Sequence, residues 1–271
     1  MVEEQEAADF LALTKKISTE RGFGCASYKE KCLRRRIAVR MRARGVHRYE
    51  DYAAILDTDA AEYDRLLDAL TINVTKLFRN WDAYAAMAEQ VVPALWNREG
   101  RIRVWSAGCS SGEEPYSLAV LFYDYASRHD RLREISRVTV LGSDIDRQSL
   151  DRAARGEFDE ADFADTPPEL RRRYFSPEPP FRIDPAVRAM VRFERRDLLS
   201  EPAPPGPHDM IVCRNVLIYF DRDTQERLFD SFYEALAPEG FLVLGKVETL
   251  LGRARSRFAP VDARERVFRR L

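Results

Sequence analysis

Residues 104–117, VWSAGCSSGEEPYS, limit the possible folds more than any other stretch of the chain. An apolar run ends at Ala107, a turn follows with glycines at 108 and 112, and a helical pattern begins at Glu113. A short strand, a glycine turn and a helix make up the opening unit of an open α/β sheet. The pattern recurs. RIRVWSA, VTVLGSDI, DMIVCRN and GFLVLG are short β-rich runs. EEPYSLAVLFYDYASRH lies between the first two, and DTQERLFDSFYEALAPEG between the last two, both with helical spacing. Strands alternating with helices imply a parallel sheet covered on both faces.

The first 76 residues read differently. Phe10, Leu13 and Ile17 fall at helical spacing, and so do Leu33, Ile37 and Met41, with Gly22 and Gly45 as stops. The expected organisation is a helical domain over 1–76 and an α/β domain over 77–271. Within the latter, a proline-rich passage (TPPELRRRYFSPEPPFRIDPAV) marks a small inserted β-subdomain at about 157–196.

Composition excludes several classes. The 271 residues carry a net charge of -1, so no global field draws the chain to nucleic acid or membrane. Four cysteines at 25, 32, 109 and 213 lack C-x-x-C spacing, and only three histidines are present, so neither a metal site nor a disulfide framework is expected. The acidic start MVEEQEAADF is no secretory signal, and no apolar run reaches the roughly 18 residues of a membrane helix. A cytoplasmic monomer is the expectation.

The glycine turn sits at the carboxyl end of its strand, where open sheets bind ligands. A dinucleotide site would show G-x-G-x-x-G and a helix start free to receive phosphate. Here Glu113 and Glu114 stand at that helix start and would repel an anion. S-adenosylmethionine suits the turn better, because it carries a sulfonium and an ammonium and no phosphate. Acids in the first helical turn also complement the helix dipole, so a structural reading of each glutamate stays open. Asp144 ends the second strand run, where an acid can accept from ribose hydroxyls. Asp146 falls further along and suits a helix cap. Asp197 and Leu198 follow a short strand and offer a polar and an apolar contact for adenine. Arg214 and Asn215 interrupt an apolar run, which points to a lined cavity. Tyr219 either faces that cavity or joins the core.

TINVTKLFRN (71–80), GEEPYS (112–117), SDID (143–146) and CRNVLIYF (213–220) occur in that order. With them the chain resembles the chemotaxis receptor methyltransferases, the CheR family, from about residue 10 to its end. The resemblance implies a Rossmann-like S-adenosylmethionine-dependent methyltransferase domain, an N-terminal all-α domain and the inserted subdomain. It implies O-methylation of glutamate side chains on the cytoplasmic helices of chemoreceptors, leaving S-adenosylhomocysteine. Asn73, Thr75, Arg79, Glu114, Asp144, Asp197, Leu198, Arg214 and Asn215 are then the cofactor-binding set, with Arg79 and Tyr219 nearest the transferred methyl. Three departures stand out: Asp197 where the family often has Asn, Leu77-Phe78 in place of paired aromatics, and a short SPEPPFRIDPAV after RRRYF. The last departure implies binding without a receptor-tail pentapeptide.

Between Lys29 and Arg44 there are eight basic residues and one acid, Glu30. Such a face seeks an acidic partner. Nucleic acid would satisfy the charge, but no aromatic interleaving accompanies it. The resemblance favours receptor helices and places Arg36 and Arg42 at substrate-docking positions. An RNA or small-molecule methyltransferase, and a binding module without transfer activity, are the rival readings.

Overall fold

The computed structural model describes residues 2–71 and 74–271, without the side chains of Val2 and Glu3. Asn73, expected above to meet the cofactor, lies outside the described residues. The chain divides into two compact units: Met1–Ile72 with Tyr219–Thr224, and Asn73–Ile218 with Gln225–Leu271.

The first unit is built from α1 (Val2–Arg21), α2 (Glu30–Ala43), α3 (Tyr49–Thr58) and α4 (Ala60–Leu70). Phe10, Leu13 and Ile17 of α1 and Leu33, Ile37 and Met41 of α2 are buried, as their spacing predicts. They pack with Tyr52, Tyr63, Leu66 and Leu70. Asp59 caps α4 by accepting from the Glu62 amide at 3.0 Å. Glu62 is fully buried and is bridged by Arg40, at 3.0 and 2.6 Å, and by the Tyr52 hydroxyl, at 2.8 Å. Those donors satisfy a carboxylate that would otherwise be costly inside the unit.

The second unit starts with two short helices, α5 (Trp81–Ala86) and α6 (Val92–Trp96), joined by a π turn. Its seven-stranded sheet has the order β5-β2-β1-β6-β7-β9-β8. The strands are β1 (Ile102–Ala107), β2 (Val138–Asp144), β5 (Val191–Arg195), β6 (His208–Cys213), β7 (Leu236–Leu244), β8 (Phe258–Asp262) and β9 (Val267–Arg270). The first five in that spatial order pair in parallel. The long helix α7 (Glu113–Arg128) crosses from β1 to β2, and α11 (Arg222–Ala235) crosses from β6 to β7. Helix α8 (Arg147–Arg155) follows β2.

β8 and β9 form an antiparallel hairpin on the β7 edge, which the sequence reading did not find. Pro260 and a run of arginines hide the alternation there. An edge strand with one solvated side tolerates both. The inserted subdomain holds β3 (Glu157–Phe158) and β4 (Phe181–Arg182), paired antiparallel, with α9 (Pro168–Tyr174) between them and α10 (Pro185–Arg188) after them. Phe158, Phe163, Phe175 and Phe181 meet edge to face beneath it. The four-residue helix α12 (Ala254–Arg257) precedes β8. No helix among the described residues is long and apolar enough to cross a membrane.

Candidate active site

The glycine turn after β1 is set by sterics. Gly108 has φ +79, and a Cβ on it would lie 2.6 Å from Val216 Cγ2. Gly112 has φ +96, and its Cβ would lie 2.8 Å from the Ala153 Cβ. Only glycine fits either place. This tight turn brings the start of α7 beside the tip of β2. The Ser110 amide donates to Asp144 Oδ2 at 2.8 Å, and the Asp146 amide donates to Oδ1 at 3.0 Å. Asp144 is thereby fixed at the strand tip by backbone amides. Burial pushes its carboxyl above the usual range. Asp146 caps α8 by accepting from the Gln148 amide at 2.9 Å.

Glu114 and Arg214 meet one strand further along the sheet. Glu114 Oε1 accepts from the Ser106 hydroxyl at 2.9 Å, and Oε2 stands 3.7 Å from Arg214 Nη1. That longer separation leaves Oε2 without a direct hydrogen bond to the guanidinium. Burial pushes Glu114 up, and Arg214 and then Ser106 pull it back. Arg214 donates from Nη2 to the Arg79 carbonyl at 2.9 Å and lies over the Tyr84 ring. Arg79 donates from Nη1 to the Val74 carbonyl at 2.8 Å, and its charge also acts on Glu114.

Asn215 adopts φ +61, and its backbone is held by a carboxylate that the sequence reading missed. Glu248 accepts from the amides of Asn215 at 3.1 Å, Val216 at 3.0 Å and Gly245 at 2.6 Å. An acid just past the tip of β7 was the available signal, since strand tips gather ligand groups. Burial pushes Glu248 up, and the backbone amides counter it. Among the described residues, Asn215 Oδ1 and Arg214 Nε are buried here without a hydrogen-bond partner. Buried polar groups are almost always satisfied, so these two atoms suit a polar ligand. Counted as ionised, Glu114, Asp144 and Glu248 outnumber Arg79 and Arg214 by one charge, so the crevice favours a cation over a phosphate.

Residues 73–267 match the family model described as CheR methyltransferase, SAM binding domain, and residues 8–71 match CheR methyltransferase, all-alpha domain. The chain belongs to the CheR methyltransferase family. It is 34% identical over 249 residues to the chemotaxis protein methyltransferase of Listeria monocytogenes, covering 91% of this chain and 92% of that protein. The Klebsiella aerogenes protein of the same name is 35% identical over 249 residues, covering 89% and 83%. That of Escherichia coli is 31% identical over 249 residues, covering 89% and 84%. This CheR protein is therefore an S-adenosylmethionine-dependent methyltransferase, and its crevice fits that cofactor. Its donor set suits that cofactor: the carboxylates of Glu114 and Asp144 and the buried Asn215 Oδ1 are acceptors, which a cationic, hydroxyl-bearing ligand without phosphate can use.

The other expected residues have neighbours of their own. Thr75 lines a cavity of about 370 Å³ with Ser111, Glu113, Arg152, Arg155 and Asp162, on the Glu113 side of the turn. Asp197 accepts within its own loop, from the Leu199 amide at 2.9 Å on Oδ1 and the Ser200 hydroxyl at 2.7 Å on Oδ2, and Leu198 beside it is half-buried. Tyr219 groups with the helical unit, where the Lys29 amide donates to its carbonyl at 2.9 Å.

Arg36 corrects the expectation of an outward basic face. It is 7% exposed, donates to the Leu70 carbonyl and stacks on the Tyr219 ring at 4.7 Å. It lies one residue before Ile37 on the inward stripe of α2, so its stem packs in the core. Arg34, Arg40 and Arg44 are paired with Glu30, Glu62 and Asp59. Lys31, Arg35 and Arg42 remain exposed, spaced four and seven apart on one face.

Glu113 gives a pH prediction. It is 5% exposed, and burial pushes its carboxyl up to about 7, against hydrogen bonds from Ser111 and Thr75. The folded state thus holds this proton more tightly than the unfolded chain. Stability contributed at low pH is lost as pH rises from about 4.5 through 7. Glu113→Gln should match wild type in urea unfolding at pH 5 and exceed it by up to about 3 kcal/mol at pH 8. Equal stability at both pH values would remove Glu113 as the source of the cost.

Proposed function

We propose that this CheR methyltransferase methylates glutamate side chains on the cytoplasmic helices of chemoreceptors, acting as a cytoplasmic monomer without a receptor-tail tether. The carboxylate-rich crevice at the tips of β2, β1, β6 and β7 supports the reading. There Glu114 holds the amino end of the cofactor, Asp144 the ribose and Asn215 a further polar group, with adenine against Leu198 and Asp197. Thr75 and Asn73 complete the cofactor-binding set. S-adenosylmethionine supplies an electrophilic methyl group on sulfur.

A glutamate side chain is already ionised near neutral pH, so its oxygen can attack without a general base. The chain therefore needs to orient rather than to deprotonate. Arg79 spends one N–H on the Val74 carbonyl and keeps the rest of its guanidinium for the incoming carboxylate. The buried Arg214 holds the Arg79 backbone in place, and Tyr219 is the second catalytic candidate. Arg42, on the exposed face of α2, draws the acidic receptor surface, with Lys31 and Arg35 beside it. The buried Arg36 serves that docking indirectly, by fixing Tyr219.

The test uses methyl-labelled cofactor with either a receptor cytoplasmic fragment or total RNA. Base-labile label released as methanol from the receptor fragment is expected, and a receptor fragment without its C-terminal tail should serve equally well. Stable label on RNA would overturn the reading. KM for the receptor should rise steeply between about 50 and 300 mM salt, because exposed charges are screened over a Debye length near 8–10 Å. A salt-independent KM would remove the basic face from docking.

A further inference from the structure

Among the described residues, the two most exposed large apolar side chains are Val247, at 72%, and Val74, at 65%. Single exposed apolar residues are ordinary on a protein surface. These two both adjoin residues of the crevice. The Val74 carbonyl holds Arg79. Val247 stands between Lys246 and Glu248 in the loop after β7. Lys246 reaches Asp82, three residues beyond Arg79, at 3.4 Å, and Glu265 at 3.7 Å. Glu248 holds the Asn215 backbone. One valine is thus tied to Arg79 directly, and the other is tied to both Asn215 and the start of α5. Each is one bond or one residue away from a group of the crevice.

The rim backbone is firmly fixed. Gly245 has no room for a Cβ, which would lie 2.8 Å from Glu248 Oε2 and 2.9 Å from the Asn215 amide. Arg266 Nε donates to the Lys246 carbonyl at 3.3 Å. A loop so anchored could keep a polar side chain at 247 at no cost, yet it presents valine to water.

We propose that Val247 and Val74 are substrate-specificity residues that grip apolar side chains of the receptor helix within one turn of the target glutamate. This rests on the receptor reading above. A helix that brings its carboxylate to Arg79 carries its residues three and four positions away to the crevice rim, since one turn rises 5.4 Å. Those neighbours must then be apolar for the valines to hold them. The contact adds selection among glutamates that the charged face cannot make, because charge attracts every acidic helix alike.

The experiment measures steady-state methylation of a receptor cytoplasmic fragment by the full chain carrying Val247→Asp, Val247→Ala or Val74→Ser. Val247→Asp should raise KM roughly tenfold or more and Val247→Ala less, with kcat and the Kd for S-adenosylhomocysteine unchanged, and Val74→Ser should also raise KM. The KM increase should persist at high salt. A receptor fragment whose apolar residues beside the target glutamate are changed to serine should already show the high KM with wild type, and Val247→Asp should then add little. If wild type methylates the receptor fragment and Val247→Asp leaves KM unchanged, this inference is overturned while the receptor reading stands. If wild type methylates no receptor fragment, both fall.

Discussion

Arg79→Ala is expected to lower kcat by roughly 10²–10³-fold while changing the Kd for S-adenosylhomocysteine by less than about threefold. The separation follows from what the guanidinium holds. Its link to the protein is one bond to the Val74 carbonyl, and its own carbonyl receives Arg214 through the backbone. Alanine keeps that carbonyl, so Arg214 and the Glu114 it faces stay in place. What is lost is the group that fixes the substrate oxygen relative to the methyl carbon. An attacking carboxylate free to rotate spends little time in line, and positioning alone accounts for several kcal/mol of barrier in such reactions. Lysine restores the charge without the planar fork, so Arg79→Lys should recover only part of the rate. Single-turnover measurements with saturating cofactor make the comparison clean. An unchanged rate would take Arg79 out of the chemistry and leave it as an ion in the wall of the crevice.

The helices of the first unit and the five parallel strands were legible because each is a local pattern. Leu33, Ile37 and Met41 announce a buried stripe at four-residue spacing, and that stripe is buried. Asp144 and Glu114 were legible because a strand tip and a helix start are fixed by their own neighbours in sequence. Arg36 was not, since its direction depends on where the Leu70 carbonyl and the Tyr219 ring come to lie. The charge of α2 was likewise overcounted. Glu62 and Asp59 stand well beyond α2 in sequence and neutralise Arg40 and Arg44 only after folding. The loop bonds of Asp197 were not legible either: short polar side chains after a strand often turn back on their own loop, and the strand pattern does not reveal which ones do. The β8–β9 hairpin escaped because edge strands need no continuous apolar run.

Glu248 escaped for a related reason, and it carries the second large effect. Glu248→Ala is expected to destabilise the chain by about 3–5 kcal/mol and to weaken S-adenosylhomocysteine binding at least tenfold. The carboxylate is 4% exposed and is the partner of three backbone amides, from Asn215, Val216 and Gly245. Alanine leaves all three facing a gap. An orphaned buried donor costs roughly 1–3 kcal/mol, and the desolvation of Glu248 itself offsets only part of the sum. For an assembly of this size the melting temperature should fall by about 10 °C. The binding loss has a separate cause. Asn215 sits at φ +61, a conformation an L-residue keeps only under constraint, and Glu248 is that constraint. Released, Asn215 relaxes and its orphaned Oδ1 leaves the crevice. Glu248→Gln discriminates the two effects. It keeps one acceptor, which can serve Asn215 and Gly245 together as Oε2 now does, but turns an N–H toward Val216. Stability should therefore fall by an intermediate amount while binding stays close to wild type. Calorimetric titration well below the melting temperature separates lost binding from lost folding. If Glu248→Ala bound the product as tightly as wild type, the turn at Asn215 would have to be held by something other than this carboxylate.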